Sequence, residues 1–141
     1  MAERSGRCLC GAVSYHFSGE PIAARVCWCK DCQHIASSGT VNAIVNTDSL
    51  SIDGELSEFT SVAESGNHVR RRFCPICGSH LFANSSARPQ YTVVRIGTLD
   101  EPSSISPTMN IWTKSAPAWA CFNENLDSTE GQAPPPKISE K

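Results

Sequence analysis

Seven of the eight cysteines in this chain fall into three tight groups: "CLC" (Cys8, Cys10), "CWCKDC" (Cys27, Cys29, Cys32) and "CPICG" (Cys74, Cys77). Three thiols within six positions cannot all pair with one another as disulfides. Where thiols stay reduced, this density reads as metal binding and not as a disulfide framework. In an extended segment residues i and i+2 point to the same side, so Cys8 and Cys10 can reach one ion, and so can Cys27 and Cys29. The form Cys-Pro-x-Cys-Gly is a metal knuckle. Its two inner residues turn the chain, and Gly78 lets the backbone curl past the ion with its amides facing sulfur.

Counting ligands separates two kinds of site. A structural zinc takes four protein ligands and is closed. Cys8, Cys10, Cys74 and Cys77 make such a set, and Cys27, Cys29 and Cys32 remain. Three ligands leave zinc a position for water or substrate, the pattern of catalytic zinc. Four thiolates leave a zinc site at about −2 and a poor Lewis acid; three leave about −1, which tolerates an incoming thiolate or polarised oxygen. Spacing alone permits another division, with Cys29 and Cys32 joining Cys74 and Cys77 in a zinc ribbon and Cys8, Cys10 and Cys27 left over. It also permits both ions to be staples for a small β domain.

The elements that must position these sulfurs are short and extended. "VSYHF" from Val13 alternates, with Val13, Tyr15 and Phe17 on one face of a half-buried strand. "IAARV" (22–26), "TVNAIVN" (40–46), "NHVRRRF" (67–73), "SHLFAN" and "YTVVRIGTL" read as further strands, and "SLSIDG" with "EFTSVAE" as a hairpin about Gly54. "DCQHIA" makes one short helical turn ended by Gly39. "MNIWTKSAPAW" reads mostly as loop with buried aromatics. The fold class is therefore mostly β, a small zinc-bound domain, with residues 1–125 as the domain and 126–141, which carry three consecutive prolines and no apolar pattern, as a disordered tail.

At 141 residues, 40% apolar and 18% charged, the chain suits one domain with a core and no second one. A net charge of −2 carries no basic footprint, so no nucleic-acid partner is expected. No apolar run approaches the roughly 20 residues of a membrane helix. "MAERSGRCLC" lacks an apolar signal core, so the expected location is cytoplasmic.

On the stretches "GRCLCGAVSYHF", "CWCKDCQHIASSG", "FCPICGSHLF", "VVRIGTLDEP" and "IWTKSAPAW", which run in this order over roughly residues 5–120, the chain resembles the glutathione-dependent formaldehyde-activating family, the GFA domain. The resemblance implies stacked antiparallel sheets and two zinc ions per chain. It implies a closed site at Cys8, Cys10, Cys74 and Cys77 and an open site at Cys27, Cys29 and Cys32. The activity it implies joins formaldehyde and glutathione to S-hydroxymethylglutathione, a carbon–sulfur lyase reaction written in reverse, with glutathione as co-substrate. Two positions depart from the family pattern. Trp28 stands where a Cys-His-Cys arrangement is frequent, and Asn110 stands where a His is frequent. Both bear on the substrate more than on the fold.

The remaining polar and aromatic residues are assigned more plainly. In a strand Arg70 and Arg72 share a face and Arg71 points the other way. A pair of guanidiniums at Arg70 and Arg72 suits the carboxylates of a peptide-like thiol, against the plainer reading of a solvated strand face. His34, directly after Cys32, reads as a surface or capping residue before a proton shuttle. Trp112 and Trp119 are expected to close the core, and Cys121 to be a small buried hydrophobe. The functional expectation is a zinc-dependent carbon–sulfur lyase acting on a small thiol–aldehyde adduct. The alternatives are a zinc-stapled binding module without turnover, or a zinc hydrolase of another electrophile.

Overall fold

Period-two alternation in the strands sorts side chains to two sides of one large sheet, and this places the core on one side and a cavity on the other. The computed structural model describes residues 2–134. Its strands are β1 (Glu3–Arg7), β2 (Ser14–Ser18), β3 (Ala23–Cys27), β4 (Thr40–Asn46), β5 (Ser51–Asp53), β6 (Ser57–Val62), β7 (His68–Phe73), β8 (His80–Ser85), β9 (Tyr91–Arg95), β10 (Met109–Ile111) and β11 (Asp127–Ser128), with one helix, α1 (Lys30–Ala36), between β3 and β4. A three-stranded sheet runs β1-β2-β5. An eight-stranded sheet runs β11-β10-β3-β4-β9-β8-β7-β6.

The small sheet covers one face of the large one. Tyr15 and Phe17 of β2 meet Ala24, Ala43, Val45, Phe82 and Val94 of the large sheet in the main core. Phe17, Phe82, Leu81 and Val94 are fully buried there, each contributing about 1.5–3 kcal/mol through removal from water. Tyr15 sits edge-on to Phe82 with ring centroids 5.2 Å apart. The expected mostly-β class and stacked sheets are what the structure has. The large sheet is mixed, however, because β10 runs parallel to both β3 and β11.

The hairpin expected about Gly54 does not form, because β5 pairs with β2 in the small sheet and β6 with β7 in the large one. Three further strands differ from the expected pattern. β1 is polar along its length and sits at a sheet edge, so no apolar alternation announces it. Its Gly6 lies against the Tyr15 ring and the Thr98 carbonyl, where a Cβ would come within 2.4 Å of either. β10 lies in a segment expected to be loop, since a three-residue strand is too short to show a period.

β11 lies in the segment expected to be a disordered tail. Residues 127–134 are held by backbone pairing, while 135–141 fall outside the described residues. Backbone bonds hold the segment to the chain after β10: Thr129 N–H to the Asn110 carbonyl at 2.9 Å, Trp112 N–H to Gly131 at 3.0 Å, Thr113 N–H to Thr129 at 3.2 Å. Ala133 is buried against Cys27, Cys32 and Ile111, and an Arg25 Nη2–H donates to the Pro134 carbonyl at 3.2 Å. Main-chain pairing, which needs no apolar side chains, accounts for the difference. At about 1 kcal/mol net for each bond, a chain ending at Leu126 is expected to melt at least about 5 °C below the full chain in a calorimetric scan. An unchanged melting temperature would restore the disordered-tail reading.

Candidate metal centres and the arginine-lined cavity

The seven clustered cysteines form two groups. The sulfurs of Cys8, Cys10, Cys74 and Cys77 lie within 4.8 Å of one another, and so do those of Cys27, Cys29 and Cys32. The division with Cys29 and Cys32 beside Cys74 and Cys77 does not occur.

The four-cysteine group joins the loop after β1 to the turn between β7 and β8. Cys8 and Cys74 are buried within the main core. Cys10 lies 3.7 Å, sulfur to sulfur, from both Cys8 and Cys74. A tetrahedral ion with metal–sulfur bonds of about 2.3 Å requires edges of about 3.8 Å, so the group fits such an ion. The amides take the knuckle arrangement: Val13 N–H donates to Cys8 Sγ at 3.3 Å, and the amides of Ile76 and Cys77 donate to Cys74 Sγ at 3.4 and 3.5 Å. Gly78 takes φ +77°, the left-handed turn that the knuckle needs. The Ser79 hydroxyl and amide hold the Cys77 thiol down to about 5.

The three-cysteine group comes from the end of β3 and the start of α1. Cys29 is the N-cap of α1, and its sulfur accepts the Cys32 N–H at 3.3 Å. Cys27 and Cys32 are buried and Cys29 is half-buried. Three sulfurs this close cannot all ionise unless a cation sits among them. The bonds to Cys29 and Cys32, then burial, push the Cys27 thiol up. The thiols of Cys27 and Cys29 hold Cys32 down to about 2; burial opposes this, and the Thr40 hydroxyl and the Arg95 charge add to it.

These three sulfurs form part of the wall of a cavity of about 240 Å³. Its other walls come from β3, β4, β7, β8, β9 and β10, from Asp31 of α1, and from the loops between β6 and β7 and between β8 and β9. Arg25, Arg71, Arg88 and Arg95 line it against Asp31 and Glu64, four cations facing two carboxylates. Ile44, Val93 and Ile111 supply apolar wall. Arg71 pairs with Asp31 at 3.4 Å and donates to the Ser61 hydroxyl at 2.7 Å. The four-cysteine group contributes nothing to this lining.

Arg70 and Arg72, weighed as a clamp for a thiol substrate against a plainer solvated strand face, are on the other side of β7 from this cavity. Arg70 is exposed and pairs with Glu58 at 3.5 Å. Arg72 lies over the Phe82 ring and donates to Asn84 at 3.1 Å. The alternation that pairs Arg70 with Arg72 is the alternation that turns Arg71 into the cavity. Arg25, Arg88 and Arg95 carried no signal in the sequence, because only pairing of β3, β4 and β9 brings them together: Arg25 and Arg95 both lie opposite Asn42.

Trp28 is buried, clear of the cavity lining, edge-on to Trp119 and Phe122 with centroids at 6.4 and 5.7 Å. Asn110 is buried on β10, paired with Ser128 of β11. Trp119 is 68% exposed and does not close the core; its ring covers Trp28 from outside. Cys121 is exposed, not buried; in that loop the rings of Trp119 and Phe122 are what lie against Trp28. His34 is exposed on the last turn of α1.

A four-cysteine group joining the loop after β1 to the β7–β8 turn, beside a three-cysteine group opening on a cavity, defines a small β protein with two candidate metal centres. The chain belongs to the glutathione-dependent formaldehyde-activating enzyme family, whose model matches residues 3–115. A crystal structure of a Rhodobacter sphaeroides protein is similar in fold, with a TM-score of 0.57 and 22% identity over 73% of this chain and 91% of that one. Among curated proteins none matches. No helix among the described residues is long and apolar enough to cross a membrane.

Proposed function

We propose that the chain is a cytoplasmic, zinc-dependent carbon–sulfur lyase that makes and breaks the adduct of glutathione, or a related anionic thiol, with formaldehyde or another small aldehyde. The observation that carries this reading is the position of Cys27, Cys29 and Cys32 in the wall of a cavity whose charged lining residues are four arginines against two carboxylates. Zinc held by these three thiolates would supply an electrophilic centre with a free position, at which a thiol loses its proton readily. The cavity's own residues do the rest. Arg25, Arg71 and Arg88 bind and orient carboxylates of the thiol substrate, with Arg71 held in place by Asp31 and Ser61. Ile44, Val93 and Ile111 exclude water around the reacting carbon. Thiol addition to an aldehyde is intrinsically easy, so holding the partners together supplies much of the rate.

The test is exchange spectroscopy on mixtures of formaldehyde and glutathione. The metal-loaded protein should speed formation and breakdown of the adduct above the uncatalysed rate at the same pH. Glutathione binding without faster exchange would leave only a binding module.

The arginines divide cleanly in the same assay. Arg88 is half-buried and belongs to no ion pair among the described residues. Arg88→Ala should raise the KM for glutathione roughly tenfold or more and change kcat less, the pattern of lost uniform binding. The double variant Arg70→Ala/Arg72→Ala should leave KM within about twofold, since surface charges off the site contribute little. The reverse pattern would move the thiol site to the other face of β7.

A further inference from the structure

Behind the three sulfurs, four buried polar side chains form a line: Cys32, Thr40, Asn42 and Arg95 are each 9% exposed or less. The Thr40 hydroxyl lies 3.1 Å from Cys32 Sγ, Asn42 Nδ2 lies 2.9 Å from Thr40 Oγ1, and an Arg95 Nη1–H donates to Asn42 Oδ1. Strand pairing builds the line. Thr40 and Asn42 are two apart on β4 and share its cavity face, Thr40 is opposite Cys27, and Asn42 is opposite Arg95.

The direction of the line is forced. A guanidinium only donates, so the amide oxygen of Asn42 must face Arg95. Its NH₂ group must then face Thr40, whose oxygen accepts from it. The Thr40 proton is left to point at sulfur. The line also begins on a cation that has no carboxylate. The ion pairs among the described residues involve Arg4, Arg70 and Arg71, and Arg95 has none. Arg95 Nε is buried without any partner. A buried guanidinium in this state is costly unless another negative charge compensates it.

We propose that Thr40, Asn42 and Arg95 are positioning residues for the metal at Cys27, Cys29 and Cys32: Arg95 is the buried counter-charge of the metal–trithiolate group, and Asn42 and Thr40 carry its polarity to Cys32 as a directed hydrogen bond. This rests on the reading of the three cysteines as a metal site. Three thiolates on a divalent ion leave about −1, which one guanidinium offsets. The hydrogen bond from Thr40 draws density from the Cys32 sulfur, so the centre stays more electrophilic than bare thiolate donors would leave it.

The experiment uses the full chain with its more weakly held ion removed by mild chelation and replaced by Co(II), whose thiolate charge-transfer absorption reports the electron richness of its sulfurs. Thr40→Val keeps the side-chain shape and removes the donor. It should shift that absorption to longer wavelength and weaken Co(II) and Zn(II) binding roughly 10–100-fold in chelator competition. Thr40→Ser, which keeps the hydroxyl, should restore both. Arg95→Met should weaken binding at this site, while the ion at Cys8, Cys10, Cys74 and Cys77 is retained in every variant. A wild-type thiolate–Co(II) band that Thr40→Val leaves in place, with unchanged affinity, would overturn the proposal and leave the metal reading standing. A wild-type band that is indifferent to Cys29→Ser would overturn both.

Discussion

Replacing Cys74 by Ser is expected to yield insoluble or unfolded protein. Cys74 is fully buried in the main core, and its sulfur touches Cys10 Sγ and accepts two amide bonds. The group it belongs to ties the loop after β1, part of the small sheet's chain, to the β7–β8 turn of the large sheet. Structural zinc in small peptides binds with about 10–16 kcal/mol of apparent free energy, comparable with the roughly 5–15 kcal/mol stability of a whole domain. A serine there removes one ligand and leaves a hydroxyl among apolar side chains, which adds to the loss. The measurements are soluble yield, metal content and the thermal transition. A soluble variant that melts cooperatively near the wild-type temperature would show that the group is no staple. Cys121→Ser, at an exposed position outside both groups, is the matched control and should behave as wild type.

Replacing Cys29 by Ser should have a different outcome, a folded protein that has lost one metal and its activity. All three cysteines of this group lie within β3, its turn and the first residues of α1, so the group spans no distant parts of the chain. Cys29 also caps α1 with its sulfur. Serine is a better N-cap than cysteine, so the helix start is kept. The four-cysteine group is untouched and should retain about one ion per chain. Circular dichroism, metal analysis and the adduct-exchange assay report on the three parts separately. Loss of both ions with unfolding would make the second group a staple, and full turnover would place the chemistry elsewhere. Mild chelation of wild type should reproduce the Cys29→Ser phenotype and reverse on adding zinc.

The local features of both centres were legible before any fold was known. Ligand identity and spacing are local: i, i+2 sulfurs in extended chain share a side, and Cys74-Pro75-Ile76-Cys77-Gly78 closes a knuckle within five residues. The same holds for several strands: alternation marked β2, and the stretches read as strands at β3, β4, β7 and β8 match to within a residue at the ends, while the stretch at β9 ran four residues past Arg95. Partition of the sulfurs into four and three was favoured by ligand counting and charge, but spacing also allowed Cys29 and Cys32 to join the knuckle. Only the folded chain, which brings Cys8 to Cys74 across the sheets, removes that choice. β1, β10 and β11 gave no usable signal, because edge and very short strands are held by backbone pairing with partners far along the chain.

The cavity is where tertiary structure alone decided. Its charge comes from residues 25, 71, 88 and 95, which lie on β3, β7, β9 and the loop before β9. No window of sequence contains more than one of them together with the cysteines they face. "RRR" at 70–72 drew attention to the paired arginines that share a face; strand order determined which face meets the sulfurs, and it is that of Arg71. Likewise Thr40, Asn42 and Arg95 are ordinary strand residues until β4 lies between β3 and β9. Then register sets them in line behind Cys32, since in a paired sheet the neighbour across the strands is as close as the neighbour two residues along.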